Sequence, residues 1–360
     1  MLEAQLVARK DAFALELAFA VPEGGTLALI GESGAGKTSV LRLLAGLDAP
    51  VAGRIGVGRE TWCDTAQGVL RPAWQRDVGY VAQDGALFPH LRVREQLAFG
   101  PRAAGWTAPR IAARTRELLA TFGLAEFAER LPAQLSGGQR QRVALARSLA
   151  LEPAVLLLDE PFAALDVTAK RELRAALQHA LVARRGVTLL VSHDPREALL
   201  FGQRIAVLEH GGLSQLGTAE ELLARPRTPY VAELMGVNLF AAELGEPQAD
   251  GLSVARTSRG DFEIAAEGQR GIVFLALDPR EVTLALEAPH GTARNTLASV
   301  VLEIIPEPPF GERVRVVLQS SQGQPPLVAE ITQRSAGTLS LRPGTRVFAT
   351  FKATGLRVFV

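Results

Sequence analysis

Gly31-Glu32-Ser33-Gly34-Ala35-Gly36-Lys37-Thr38 is the stretch that decides how the first part of this chain folds. It fits the pattern G-x-x-x-x-G-K-[ST], and its flanks suit that pattern. Residues 26–30 before it form a continuous apolar run, as a strand covered on both faces requires. Residues 38–45 after it read as a helix that ends at Gly46. Between strand and helix, glycines let backbone N–H groups turn inward around an anion. The helix N-terminus adds its dipole. Lys37 is then placed to reach the β- and γ-phosphates of a nucleotide, and the Thr38 hydroxyl to ligate Mg²⁺. A chance Lys-Thr after a glycine-rich turn would lack a strand and a helix on the correct sides.

Two more apolar runs, 154–158 and 187–191, read as buried central strands. Residues 110–122 and 139–150 have helical spacing. Short apolar runs alternating with helical stretches through residue 235 predict a mostly parallel sheet covered by helices. The run Val155-Leu156-Leu157-Leu158 ends in Asp159-Glu160. Taken alone, two acids at a strand end read as solvated carboxylates. Beside a phosphate loop they read differently. Asp159 can hold Mg²⁺ through water, and Glu160 can polarise an attacking water.

The chain has 360 residues, which suggests two domains, and 48% of them are hydrophobic, enough for a large core. A formal net charge of +1 gives no electrostatic case for nucleic acid. No run of about 18 apolar residues occurs, so no membrane span is expected. Met1-Leu2-Glu3-Ala4 lacks the basic, apolar start of a signal peptide. The single cysteine, Cys63, excludes an intramolecular disulfide, and a reducing, cytoplasmic compartment is expected. After about Asn238 the pattern changes to period 2, at 271–277, 281–286, 313–318 and 346–352, with Gly and Pro turns between. That predicts a small all-β barrel.

Leu135-Ser136-Gly137-Gly138-Gln139 opens the helical stretch Arg140-Gln141-Arg142-Val143-Ala144-Leu145-Ala146-Arg147. It resembles the signature of the ABC ATPase family. Gln83 in Tyr80-Val81-Ala82-Gln83-Asp84, Asp166 in Ala164-Leu165-Asp166, and His193 in Val191-Ser192-His193-Asp194 follow the family's order. The resemblance covers about residues 1–235 and implies a RecA-like phosphate-loop NTPase of α/β class with a helical subdomain. It implies catalytic roles for Glu160, His193 and Gln83, and Mg²⁺ ligation by Thr38, Gln83 and Asp159. His193 would contact the γ-phosphate, while Gln83 would sense Mg²⁺ and face membrane subunits. Ser136, Gly137, Gly138, Gln139 and Asp166 would meet the nucleotide of a partner copy. The aromatic that stacks on adenine has one candidate, Phe13, whose pattern suits a strand residue packed in the core.

With one phosphate loop and one signature per chain, two complete sites need two copies, most simply a C₂ homodimer. The family resemblance further implies two transmembrane permease subunits and, indirectly, a periplasmic or extracellular binding protein. The motor would sit at the cytoplasmic face of the inner membrane. Gln83-Asp84-Gly85-Ala86-Leu87-Phe88-Pro89 and residues 92–100 resemble the surface that receives the permease. A β-domain following the motor directly resembles importer ATPases.

Within that β-domain, Gly291-Thr292-Ala293-Arg294-Asn295-Thr296-Leu297 resembles a stretch of molybdate-binding Mop domains. The resemblance continues through Ser335, Leu339-Ser340-Leu341-Arg342-Pro343-Gly344 and Phe351-Lys352-Ala353. It divides the chain into an ATPase domain (1–235), a linker and β-rich connecting segment (236–286) and an OB-like Mop/TOBE domain (287–360). It points to molybdate as cargo, with tungstate as a second oxyanion. Thr292, Ala293, Arg294, Asn295, Ser335 and Lys352 offer hydroxyl, backbone and cationic donors for a tetrahedral dianion. Thr292 and Ser299 depart from the usual Ser and Gly. The same domain could equally serve only to pack a dimer. The alternatives are an importer ATPase for sulfate, iron(III) or sugar, a soluble ABC ATPase, and a cytoplasmic oxyanion sensor.

Overall fold

The computed structural model describes residues 1–10, 13–163, 165–182, 184–248, 251–266, 268–289, 291–307, 311–320 and 324–360. Ala164 of the Ala164-Leu165-Asp166 stretch lies outside them. The chain forms two compact units, Met1–Ala219 and Glu220–Val360.

Among the described residues, the first unit is built on one eleven-stranded sheet. Five neighbouring strands run parallel, in the order Arg204–Glu209, Thr26–Gly31, Val187–Val191, Val155–Asp159 and Val78–Val81. The three that the apolar runs predict are buried at every residue. Their alternate side chains supply two different cores. Leu157 and Leu189 join the cluster that contains Val40, Leu41 and Leu44 of the helix Lys37–Ala45. Leu156, Leu158 and Leu190 join a second cluster with Leu97, Leu118, Val143 and Leu145 from helices on the other face. Each fully buried leucine contributes about 1.5–3 kcal/mol, so neither face can be left open. Leu2–Lys10 and Phe13–Val21 form an antiparallel pair beside this core. Phe13–Val21 alternates, with Leu15, Leu17, Phe19 and Val21 buried.

The helices expected at 110–122 and 139–150 are Ala108–Thr121 and Gly137–Ser148. The first starts earlier because Pro109 suits a first turn, where its missing N–H has no partner to lose. The second starts earlier because Ser136 caps it.

The second unit is all β apart from short turns and helices. One five-stranded sheet has the order Gly260–Ile264, Ser253–Thr257, Asn238–Pro247, Gly271–Leu277, Leu356–Phe359. The other has the order Thr283–Ala285, Arg346–Phe351, Asn295–Glu307, Arg313–Gln319, Leu327–Thr332. Among the described residues, all the pairings in both sheets are antiparallel, and both sheets share one core. Phe262 packs edge-on against Phe240 and Phe351, with ring centroids 5.3 and 5.2 Å away. Residues 236–286 supply strands to both sheets, and the chain's last strand returns to pair with Gly271–Leu277. The strand expected at 281–286 is only Thr283–Ala285. Pro279–Glu281 instead forms a single 3₁₀ turn, capped by the Asp278 carboxylate.

Candidate active site

The parallel strands deliver their chemistry at their carboxyl ends, where open α/β sheets commonly hold ligands. Thr26–Gly31 runs into the phosphate loop, Val155–Asp159 into Glu160, Val187–Val191 into His193, and Val78–Val81 towards Gln83. A cavity of about 840 Å³ is lined by Ser33, Gly34, Gly36, Lys37, Thr38 and Ser39 together with Gln83, Glu160, His193 and Phe13. Residues separated by more than a hundred positions thus share one opening.

Gly36 could take a side chain only with strain and by pushing its neighbours aside. Its φ of 98° is left-handed, and a Cβ there would lie 2.7 Å from the Phe13 ring and 2.9 Å from Leu15. The helix begins directly after it, at Lys37. Lys37 is 8% exposed, and its ammonium donates to the Gly31 and Glu32 carbonyls, both at 2.7 Å. Burial holds its pKa below the usual lysine range, against the opposing pull of Glu160 and Asp159. The Thr38 hydroxyl donates to Asp159 Oδ1 at 3.1 Å. Asp159 is 3% exposed, and burial pushes its carboxyl above the usual range despite hydrogen bonds from Thr38 and Tyr80. The Tyr80 phenol is pushed up to about 12, first by burial and next by the Asp159 charge.

Glu160 is a non-glycine residue with φ of 46°. A conformation of that kind costs of order 1–3 kcal/mol and persists only where its surroundings impose it. Here its N–H donates to Val191 O at 3.1 Å, across to the neighbouring strand. Its Oε2 lies 3.4 Å from Gln83 Nε2 and 3.4 Å from His193 Nδ1. His193 is otherwise exposed.

These residues fit a nucleotide phosphate with Mg²⁺. Lys37 and Asp159 are each buried against their charged form, and a polyphosphate with a divalent cation supplies the opposite charge to both. The Thr38 hydroxyl and Asp159 carboxylate are hard oxygen donors, and Mg²⁺ takes few protein ligands while keeping waters and phosphates. Among the described residues no group of three or more His, Cys, Asp or Glu side chains is arranged to hold a metal by itself.

The signature residues lie outside this cavity. Ser136 accepts a hydrogen bond from Gln139 N at 3.2 Å and donates its own N–H to Gln139 Oε1 at 2.9 Å, a closed capping box. Gly137 is exposed, and a Cβ there would meet nothing nearer than 4.0 Å. Gly138 differs, because its Cβ would fall 3.0 Å from Ala169 of the helix Val167–Val182. Asp166 is exposed, and its carboxylate accepts from Ala169 N at 2.9 Å.

In the second unit, Thr292, Arg294, Ser335 and Lys352 are exposed and Ala293 is half-buried. Asn295 is 3% exposed and fully engaged. Its amide donates to Glu263 O at 2.9 Å and accepts from Glu263 N at 2.8 Å. It faces Phe351 in register, which brings Lys352 close to it in the chain's path. Ser335 is tied to Thr332, which caps the helix Gln333–Thr338.

Sequence reading passed over Tyr80 and left Phe13 as a core residue. Phe13 does border the core, but it also lines the cavity beside Gly36. It is the first residue of a strand that starts beside the loop, a long-range placement that no local pattern in the sequence announces.

The fold and this site define a phosphate-loop ATPase. The ABC transporter family matches residues 15–163, and the TOBE domain matches residues 291–358. An Fe(3+) ions import ATP-binding protein of Rhodococcus jostii is 41% identical over 92% of this chain and 90% of its own length. A molybdenum import ATP-binding protein of Mycobacterium tuberculosis is 37% identical over 94% and 92%. A sulfate/thiosulfate import ATP-binding protein of Mycolicibacterium paratuberculosis is 37% identical over 92% and 82%. Among solved structures, the dimeric post-hydrolysis state of the ATP-binding cassette MJ0796, bound to ADP and Pi, is similar with a TM-score of 0.52 at 26% identity, covering 61% of this chain and 98% of that one. The chain belongs to the ABC transporter family, as an ATPase subunit of the importer type with a C-terminal TOBE domain. ATP is its nucleotide and Mg²⁺ its cofactor.

Proposed function

We propose that this chain powers the import of molybdate, working as a pair of identical copies bound to two transmembrane permease subunits. The observation that carries the ATPase part is the gathering of Lys37, Thr38, Glu160 and His193 at one opening, with Asp159 bonded to Thr38 and with Ser136–Gln139 outside its lining. In this reading Lys37 and the loop N–H groups hold the β- and γ-phosphates. Thr38, Asp159 and Gln83 would hold Mg²⁺, which would supply charge neutralisation at the phosphates. Glu160 polarises the attacking water and His193 holds the γ-phosphate. The second copy supplies Ser136, Gly137, Gly138, Gln139 and Asp166, which are remote from their own chain's cavity. The γ-phosphate is a differential contact: the pair closes on it, and hydrolysis removes it.

Among the described residues no helix is long and apolar enough to cross a membrane, which suits a motor that acts on separate subunits at the cytoplasmic face. The cargo rests on Gly291-Thr292-Ala293-Arg294-Asn295, whose exposed hydroxyl and guanidinium suit an oxyanion, received outside the cell by a binding protein. The similarity to iron import proteins favours iron(III) as the second reading. ATP turnover by the reconstituted transporter, with binding protein loaded with molybdate, sulfate or iron(III), separates them. Stimulation by molybdate is expected; stimulation by iron(III) or sulfate alone would overturn the cargo assignment and leave the ATPase reading intact.

A further inference from the structure

Glu197 is a carboxylate at 3% exposure, close to the active site yet absent from its cavity. Its Oε1 accepts from Lys170 Nζ at 2.7 Å and from an Arg174 terminal nitrogen at 2.8 Å. Its Oε2 accepts from the Ser192 hydroxyl. Asp194 joins the same group, with Oδ2 at 3.4 Å from Lys170 and 3.2 Å from Arg174. Burying the Glu197 carboxylate is expensive, while Lys170, Arg174 and Asp194 around it stay about a quarter exposed. A buried ion loses much of its hydration, and an apolar replacement of equal volume is often no less stable. Stability alone therefore gives little reason for its presence.

What the cluster does provide is a link between two loops. Lys170 and Arg174 belong to the helix Val167–Val182, which begins directly after Asp166. Asp166 sets that helix start: its carbonyl accepts from Lys170 N at 2.9 Å and its carboxylate from Ala169 N at 2.9 Å. Ser192 and Asp194 flank His193 in sequence. The Ser192 hydroxyl, while bonded to Glu197, also accepts from Asp194 N at 3.0 Å. Ser192 N in turn donates to Leu29 O at 3.2 Å. The backbone is thus fixed on both sides of His193, whose ring, among the described residues, approaches Glu160 at 3.4 Å. Arg174 also lies over the Phe162 ring, 5.7 Å from its centroid, and Phe162 is two residues beyond Glu160.

We infer that Glu197 is a positioning residue that couples the Asp166 loop to His193, so that docking of a second copy on Asp166 sets the aim of the histidine at the phosphate held by its own chain's loop. The inference rests on the roles proposed above for Asp166 and His193. A displacement at Asp166 moves the first turn of its helix, Lys170 carries it to Glu197, and Ser192 carries it to the His193 backbone. Two discrete arrangements of one ionic cluster are a suitable relay, since a packed cluster does not deform continuously.

The test is a double-mutant cycle in ATP turnover by the full-length chain. Glu197→Gln is expected to lower kcat roughly tenfold while KM for ATP changes less than about twofold. In the His193→Ala background the same substitution is expected to lower kcat by less than about twofold, because the histidine it aims is gone. A merely structural role predicts the same proportional loss in both backgrounds, and that result would overturn the coupling. So would an unchanged kcat in Glu197→Gln alongside a large loss in His193→Ala. An unchanged kcat in His193→Ala would instead overturn the histidine reading beneath it. If Glu197→Gln does not fold, Lys170→Met carries the same cycle from the more exposed end of the cluster, where the lysine side chain is 26% exposed.

Discussion

Glu160 Oε2 stands 3.4 Å from His193 Nδ1 although the two residues follow different strands of the sheet. They meet because Asp159 and Val191 are register partners in a parallel pair, so each chain leaves its strand at the same height. The left-handed backbone of Glu160, held by its bond to Val191 O, sets where the carboxylate departs. His193→Ala is expected to lower ATP turnover about 10²-fold with little change in nucleotide affinity, as loss of a group acting on the reacting phosphate requires. Steady-state turnover and a nucleotide titration measure the two quantities separately. Weakened binding with normal kcat would place the histidine outside the chemistry.

Burial raises the Asp159 carboxyl above its ordinary value, and the sign of its linkage follows. The folded protein binds this proton more readily than the unfolded chain. Above the unfolded pKa of about 3.9, the ionised group therefore lowers stability, and the penalty fades as pH falls through the folded value. Asp159→Asn in the nucleotide-free protein should raise the thermal midpoint at neutral pH by about 2 °C. The gain should shrink in acid, and Mg²⁺-dependent turnover should be lost. A midpoint that falls at neutral pH would show that the Thr38 and Tyr80 bonds outweigh desolvation.

Phe13 lies at the cavity beside Gly36, half-buried and with its ring edge toward the loop. A ring there offers a stacking surface for adenine, worth roughly 1–3 kcal/mol. Phe13→Ala should weaken ATP binding about tenfold while leaving the affinity for inorganic triphosphate unchanged. Calorimetry with both ligands makes the comparison. Equal weakening of the two would assign the residue to packing of the loop.

The two signature glycines should separate cleanly. Gly138 is confined by Ala169, so Gly138→Ala must displace the Val167–Val182 helix and should lower the thermal midpoint. Gly137 faces open space, and Gly137→Ala should leave the midpoint unchanged or higher, since alanine is the better helix former by up to about 1 kcal/mol. It should nonetheless slow turnover by crowding a partner's phosphate. Differential scanning calorimetry with turnover assays on both variants decides this.

Much of the site was legible because its signals are local. The glycines and Lys37-Thr38 lie in one loop, and the buried strands are continuous apolar runs whose period says that both faces are covered. Asp159 and Glu160 could be found because they end such a run. Tyr80 could not. Its importance comes from the parallel pairing of Val78–Val81 with Val155–Asp159, which no local pattern announces. The same holds for Glu197, which reads as an ordinary helical acid until Lys170 and Arg174 are seen against it. In the second unit the strand alternation was plain, but the return of Leu356–Phe359 to Gly271–Leu277 is a long-range pairing. Asn295 illustrates a further limit. As a polar residue in an anion-like stretch it reads as a ligand, while its amide in fact clasps the Glu263 backbone.

The central claim is that this chain hydrolyses ATP with Glu160 at a site completed by a second copy. Glu160→Gln tests it most directly, because it keeps the side chain's size and removes only the charge. The expected result is ATP binding at the wild-type level, turnover lowered by at least about 10²-fold, and a particle of twice the chain's mass that persists in Mg²⁺ and ATP by light scattering. Turnover close to that of the unaltered chain, with no ATP-dependent doubling of mass, would contradict it.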